Sequence, residues 1–118
     1  MRKDLLWENS SPSSNFAAQT LQLGDLSNYA SIQILVKYNV GTDGYQNLTI
    51  WRLSDTQKQI AIMYADNNNK RKAWRQYNLT WSTGALVIKA ALYNNSTGNN
   101  NLYPVRIYGI KGKTRSVA

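Results

Sequence analysis

Few residues in this 118-residue chain could perform acid–base or nucleophilic chemistry, because it contains six carboxylates but no Cys and no His. That composition excludes thiolate nucleophiles, Cys/His zinc sites, haem ligands and His-based catalytic triads. Glycoside hydrolysis needs two carboxylates about 5–10 Å apart. Five of the six acids lie in or beside turn-like sequences, where Asp serves local hydrogen bonds, and only Glu8 ends a predicted strand. We therefore predict no enzymatic activity, no metal site and no cofactor.

Positive charge is concentrated at one interior position. The formal net charge is +8, and the segment 70–75 places four cations around one indole. Such a cluster suits an anion, with Trp74 stacking on a base or a sugar. The alternative is a solvated hairpin whose Trp covers the edge of the domain. No nucleic-acid-binding motif is present, so we expect an acidic glycopolymer or an acidic partner surface before nucleic acid. The predicted ligand-binding residues are Trp74, Lys70, Arg71, Lys72 and Arg75.

A second aromatic face is predicted around Tyr93 and Tyr108, which lie near strand ends or opposite the aliphatic stripe. Aromatic rings beside Asn and Gln can hold saccharides, because the ring meets the C–H face of a pyranose and the amides meet its hydroxyls. The same rings can instead complete a core or an oligomer interface, where Tyr and Trp are also favoured. Both interpretations stay open at this point.

Alternation of apolar and polar residues indicates the elements that must position these side chains. Ile32, Ile34 and Val36 fall on one face of the run 31–40, and the run 75–81 places Tyr77, Leu79 and Trp81 inward. Turn-forming residues separate such runs about every eight to twelve residues, which is typical of an antiparallel sandwich or barrel. We predict one all-β domain over residues 1–118, an antiparallel, jelly-roll-like β-sandwich of about eight strands. Residues 1–3 and 112–118 are predicted to be flexible basic tails.

Several segments carry more specific predictions. The first strand is assigned to Asp4–Glu8, with Leu5 too apolar to remain outside, and it should lie close to the last strand. A second strand is assigned near 15–23, where Phe16, Ala18 and Thr20 alternate. One continuous strand over 86–93 should place Leu92 on the same face as Leu86 and Ile88. The expected core is Trp7, Tyr77, Leu79, Trp81, Ile88 and Ile107.

Several strands carry apolar or aromatic residues on both faces, which exceeds what one sandwich core needs. The opposed pairs are Leu35 with Ile34, Trp51 with Ile50 and Tyr93 with Leu92. We therefore predict a homo-oligomer, with a trimer favoured. No run approaches eighteen apolar residues, so we expect neither a transmembrane helix nor a membrane partner.

Two terminal segments point to a family. The sequence reads LLWENSSP at 5–12 followed by FAAQT at 16–20, and it closes with YPVRIYGIKG at 103–112. This combination resembles small β-rich modules in virion proteins of tailed bacteriophages, of the tail-fibre, baseplate or head-fibre type. The matching positions are apolar and structural, so the resemblance carries no binding residue across. It implies a structural protein, commonly trimeric, that is made in the bacterial host cytoplasm and located in the virion.

Two functions from different classes follow. The first is a non-enzymatic virion protein that serves particle assembly or host-surface attachment, with other virion proteins and a cell-wall glycopolymer or saccharide as partners. The alternative is a stand-alone carbohydrate-binding module. A virion module should be an obligate oligomer with a large apolar interface, whereas a free module should be monomeric with an open aromatic cleft.

Overall fold

Every regular element in the computed structural model is a β-strand, over described residues 2–11, 15–39, 44–64, 72–94, 96–98 and 100–112. No helix in these ranges is long and apolar enough to cross a membrane. The strands are β1 (Arg2–Glu8), β2 (Gln19–Gln22), β3 (Ser31–Tyr38), β4 (Gly44–Trp51), β5 (Thr56–Tyr64), β6 (Lys72–Thr80), β7 (Ala85–Ile88), β8 (Leu92–Tyr93), β9 (Ser96–Thr97) and β10 (Tyr103–Lys111).

Two antiparallel sheets pack against each other, which confirms the predicted all-β sandwich. Sheet A has the order β1-β10-β3-β4. In sheet B, β6 pairs with β5 along one edge and with β7 and β8 along the other, and β2 and β9 lie outside β7 and β8. The connections β1 to β2, β2 to β3, β4 to β5 and β9 to β10 cross between the sheets, while β3–β4 and β5–β6 are hairpins within one sheet. About eight strands were predicted, and the two additional ones are the two-residue strands β8 and β9.

The core lies between the sheets and follows the alternation read from the sequence. Ile32, Ile34 and Val36 of β3 are buried, as are Tyr77 and Leu79 of β6. Full burial of such an aliphatic side chain contributes about 1.5–3 kcal/mol, so these stripes drive the sheets together. The predicted core is confirmed for Tyr77, Leu79, Trp81, Ile88 and Ile107, whereas Trp7 is only half-buried.

The first and last strands pair, as predicted, but the pairing contains a β-bulge between Leu5 and Trp7. An extra residue in a strand moves the side chains beyond it to the other face of the sheet. Leu5 is consequently 53% exposed, so the prediction that it would be buried is wrong. Trp7 instead turns towards Phe16, and the two rings meet edge to face with centroids 5.8 Å apart.

The predicted N-terminal tail is also corrected, because Arg2 and Lys3 belong to β1 and pair with Lys111 and Ile110. Main-chain hydrogen bonds along the β10 edge order this segment. Of the predicted tails, Met1 and residues 113–118 lie outside the described residues.

The strand predicted over 15–23 exists only from Gln19, and its alternation differs from the expected one. Phe16 is buried, but Ala18 and Thr20 are exposed, and Leu21 turns inward instead. The segment before Gln19 lies outside the strand, so the period of two begins only there and Phe16 does not share its register.

The run 86–93 is interrupted at 89–91, although one continuous strand was predicted. Both halves pair with β6, but Tyr77 lies opposite Ile88 while Ala73 lies opposite Tyr93, so the second half contains one extra residue. This irregularity exchanges the faces of the residues beyond it. Leu92 therefore lies opposite Trp74 on the outer face, and Tyr93 turns towards the core side.

Candidate functional site

The predicted cation cluster is divided by the alternation of β6. Lys72 and Trp74 point outward and are half-buried, whereas Arg75 lies on the inner face and is fully buried. Lys70 and Arg71 lie outside the described residues. The structure therefore keeps Lys72 and Trp74 on one surface and removes Arg75 from it.

Arg75 has a structural role instead of the predicted anion contact. Its Nη2 donates a hydrogen bond of 2.7 Å to the Phe16 carbonyl, and the guanidinium lies 5.7 Å from the Phe16 ring centroid. Burial lowers the pKa of Arg75 and raises the pKa of its neighbour Tyr77, whose phenol donates to the Leu102 carbonyl at 2.5 Å. A buried cation needs such hydrogen bonds, so Arg75 fixes the segment around Phe16 to the core.

The surface that remains is the outer face of sheet B, here called the Trp74 face. Trp74 lies opposite Ile62 of β5 on one side and Leu92 of β8 on the other. Ile60 and Ile62 alternate on the solvent side of β5, where they are 42% and 45% exposed. Together with Lys72 and Trp74 they line a shallow depression of about 280 Å³.

Three lysines belong to the Trp74 face. Lys72 begins β6, Lys58 lies opposite Asn78 at the far end of that strand, and the Lys89 N–H donates to the Gln76 carbonyl at 3.0 Å. Asn78 and Lys72 are six residues apart, which corresponds to about 20 Å along a strand. The six strands of sheet B contain no Asp or Glu. Among the described residues, none of these lysines forms an ion pair.

The two tyrosines of the predicted second aromatic face do not share a surface. Tyr108 lies on the outer face of sheet A beside Leu5 and Gln33, with the Lys3 Nζ 4.3 Å from its ring centroid. Tyr93 lies in sheet B and is packed against the core. The prediction is wrong because the two residues belong to different sheets, and the irregularity at 89–91 also turns Tyr93 towards the core side of its own sheet.

Tyr93 instead borders a separate polar pocket of about 370 Å³, here called the Tyr93 pocket. Its lining is Asn39, Tyr93, Ser96, Thr97, Gly98, Asn100 and Asn101. The side chains come from the end of β3, the β8–β9 hairpin and the loop before β10. The described residues of this lining thus combine amides, hydroxyls and one ring, and none of them is charged.

The outer face of sheet A differs in its charges. Arg106 Nε and Glu8 Oε2 are 2.9 Å apart, and both side chains are about half-exposed. The hydrogen bond from Arg106 to Glu8 raises the pKa of the guanidinium. Large apolar residues are nevertheless exposed at β4, where Tyr45 and Trp51 are 58% and 54% accessible.

All four described carboxylates have polar partners. The pairs are Asp4 with Tyr29 and Lys111, Glu8 with Arg106, Asp25 with Ser27 and Asp55 with Ser82. The backbone N–H of Ser27 lowers the pKa of the Asp25 carboxyl. Within the described part of the chain, no three His, Cys, Asp or Glu residues cluster as metal ligands would. These carboxylates serve turns, a loop contact and strand pairing.

Sequence reasoning missed Lys58 and Lys89 because they reach the Trp74 face only through the register of β5 and β7 against β6. It also missed Asn39 and Asn101, which are brought together from distant parts of the chain. Comparisons of the chain with protein-family models, curated proteins and solved structures found no match.

Proposed function

We propose that this chain is a non-enzymatic structural protein of a bacteriophage virion, which self-associates and attaches to an anionic glycopolymer on the host surface. The observation that carries the attachment is the Trp74 face, where an aromatic ring stands among three lysines in a sheet without acidic residues. The terminal segments that resemble virion modules support the setting.

The Trp74 face suits an extended polymer better than a small ion. Its lysines are spread over about 20 Å of sheet, so a single phosphate would meet only one of them. A chain of phosphates or uronic acids can meet all three while one sugar ring stacks near Trp74 and Ile62. Each exposed contact is weak, and their attraction is screened over about 8 Å at physiological salt. Attachment of this kind therefore depends on several contacts acting together.

Self-association increases the number of these weak contacts that act together. Several large apolar side chains are exposed on or beside β4 and on β1 of sheet A: Leu5, Tyr45, Trp51 and Leu53. Protein–protein interfaces are enriched in aromatic residues, so these exposed side chains suit a contact between copies of the chain. When copies are joined, the second binding event becomes intramolecular and the overall affinity rises without new contacts.

The test is binding of purified glycosylated poly(glycerol phosphate) teichoic acid, whose sugar substituents supply the ring that stacks on Trp74, to the wild type and to two charge-matched triple variants. One changes Lys58, Lys72 and Lys89 to Gln on sheet B, and the other changes Lys3, Lys37 and Lys111 to Gln on sheet A. We expect the sheet B variant to lose at least about tenfold in affinity at low salt, equivalent to about 1.4 kcal/mol. The sheet A variant should keep most of it.

Equal losses in the two variants would show that net charge alone attracts the polymer and would overturn the proposed site. Trp74→Ala adds a second criterion, because it changes no charge. We expect it to weaken binding as well, because it removes the ring on which the sugar stacks.

A further inference from the structure

The Tyr93 pocket has a chemistry that the Trp74 face lacks. Its described lining residues supply three amides, two hydroxyl groups and one phenol ring, and none of them is charged. Each Asn amide offers both a donor and an acceptor, and Ser and Thr hydroxyls do the same. A volume of about 370 Å³ lies within the range of small-molecule sites. The pocket therefore suits an uncharged ligand rich in hydroxyl groups.

Hydrogen bonds hold the pocket in shape. The Asn39 N–H donates to Asn101 Oδ1 at 2.9 Å, and Asn101 is 3% exposed. The Asn101 N–H donates to the Gly98 carbonyl, and the Gly98 N–H donates to the Ala91 carbonyl. This network joins the end of β3 to the loop before β10, so the wall of the pocket does not depend on a ligand for its order.

Backbone conformation also marks this loop. Among the described residues other than glycine, only Asn94 and Leu102 have positive φ, at 50° and 52°, and they bracket the pocket segment. Leucine rarely adopts this conformation, which persists only where the surroundings enforce it. Leu102 is fully buried, and its carbonyl accepts the Tyr77 phenol. The core thus enforces the loop conformation, as expected of a preorganised site.

Gly98 fits the loop against Tyr93. A Cβ at this position would lie 2.8 Å from the Tyr93 Cβ, so only glycine allows the approach. Tyr93 is packed against the core and also borders the pocket. An aromatic ring held in this way offers a surface to the C–H groups of a sugar, while the surrounding amides reach its hydroxyls.

We infer that the Tyr93 pocket binds a neutral saccharide and is separate from the anion-binding Trp74 face. The two surfaces use different forces, so they respond differently to salt. Recognition by amides and a ring is insensitive to ionic strength, whereas attraction between a lysine face and a polymer is screened.

The test uses saturation-transfer NMR with a panel of neutral sugars: the methyl glycosides of glucose, galactose and N-acetylglucosamine and their β-linked disaccharides. At least one should bind the wild type with a Kd of about 1 mM, unchanged between low and high salt. The double variant Ser96→Ala/Asn100→Ala alters two exposed pocket residues. It should weaken binding at least about tenfold, while Trp74→Ala should bind like the wild type.

Three outcomes would overturn the inference: no binding by any sugar of the panel, equal binding by the pocket double variant, or loss of binding in Trp74→Ala. Thermal unfolding of each variant shows that the fold is retained. Because the Trp74 face is tested with teichoic acid and the pocket with neutral sugars, either site can fail without the other.

Discussion

The outer faces of the two sheets carry the same kinds of residue but arrange their charges in opposite ways. On sheet A, Arg106 is paired with Glu8, and Lys3 lies over the Tyr108 ring. On sheet B, Lys58, Lys72 and Lys89 have no acidic partner among the described residues. Sheet A offsets part of its positive charge with Asp4 and Glu8, while the strands of sheet B contain no acidic residue beside their lysines, which attract anions.

Apolar exposure does not distinguish the faces, because both have it. Trp51 is exposed at the end of β4 of sheet A, and Ile60 and Ile62 are exposed on sheet B. A face with paired charges loses little when it meets another copy of itself, whereas two copies of a lysine face repel each other. In the function proposed above, the charge arrangement favours self-association through sheet A and polymer attachment through sheet B.

The largest expected effect comes from the core, which lies beneath the outer faces of both sheets. Trp81 is 3% exposed, and the Arg52 guanidinium lies 4.5 Å from its ring centroid. Trp81→Ala should lower the free energy of unfolding by about 3–5 kcal/mol, because it leaves a cavity in the shared core. Trp74→Ala should cost about 1 kcal/mol, because it removes only the cross-strand contacts of a half-buried ring. Urea titrations of the two variants compare them, and equal losses would mean that Trp74 serves the fold rather than a ligand.

The next largest effect is expected on self-association, which distinguishes the outer faces of the two sheets. Changing Tyr45 and Trp51 to Ser should weaken it at least about tenfold, because truncating an interface anchor commonly costs about 2 kcal/mol or more. The matched variant with Ile60 and Ile62 changed to Ser should associate like the wild type. Light scattering behind a sizing column measures both. A wild type that is monomeric at micromolar concentration would contradict the virion proposal and leave a stand-alone carbohydrate-binding module.

A single added acidic residue tests whether the unpaired lysines of sheet B attract the polymer. Gln76 lies opposite Ile60 and beside Lys89, so Gln76→Glu places an anion among the lysines of sheet B. Affinity for teichoic acid should fall about threefold to tenfold, or about 0.7–1.4 kcal/mol. Thr49→Glu, opposite Gln33 on sheet A, is the control and should leave affinity nearly unchanged. An equal decrease in affinity in both variants would show that net charge, and not the position of the added acid, determines binding.

The smallest effect is expected from the ion pair of sheet A. Glu8 and Arg106 are about half-exposed, and exposed pairs contribute about 0–1 kcal/mol. A double-mutant cycle with Glu8→Gln and Arg106→Gln should return a coupling energy in that range. A coupling well above it would show that the pair stabilises sheet A, and its role would then be structural rather than neutralising.

The fold could be predicted from the local alternation of apolar and polar residues. This alternation assigns side chains to the correct face wherever a strand keeps its period of two. The stripes Ile32–Val36 and Tyr77–Trp81 were therefore assigned to the correct face. Leu5 and Tyr93 were not, because an extra residue in each strand exchanged the faces and no residue type announces such an irregularity. Arg75 is different: it precedes Tyr77 by two positions, so the same alternation already placed it inward, against its charge.

The candidate sites could be predicted only in part, again because alternation shows which residues of one strand share a face. Lys72 and Trp74 are two residues apart on one strand, so their shared face follows from alternation alone. Lys58 and Lys89 join them only through strand register, which the sequence does not state. The pairing of Asn39 with Asn101 requires the closing of a long loop, and amide-rich turns elsewhere in the chain look alike.

The bulged first strand also limits how copies of this chain can grow. β1 forms an edge of sheet A, four of its seven residues are charged, and its ladder is broken between Leu5 and Trp7. A flat, apolar edge would template strand addition and lead to fibrils, whereas a charged and bulged one does not. Copies can therefore crowd together at high local concentration without pairing along the β1 edge.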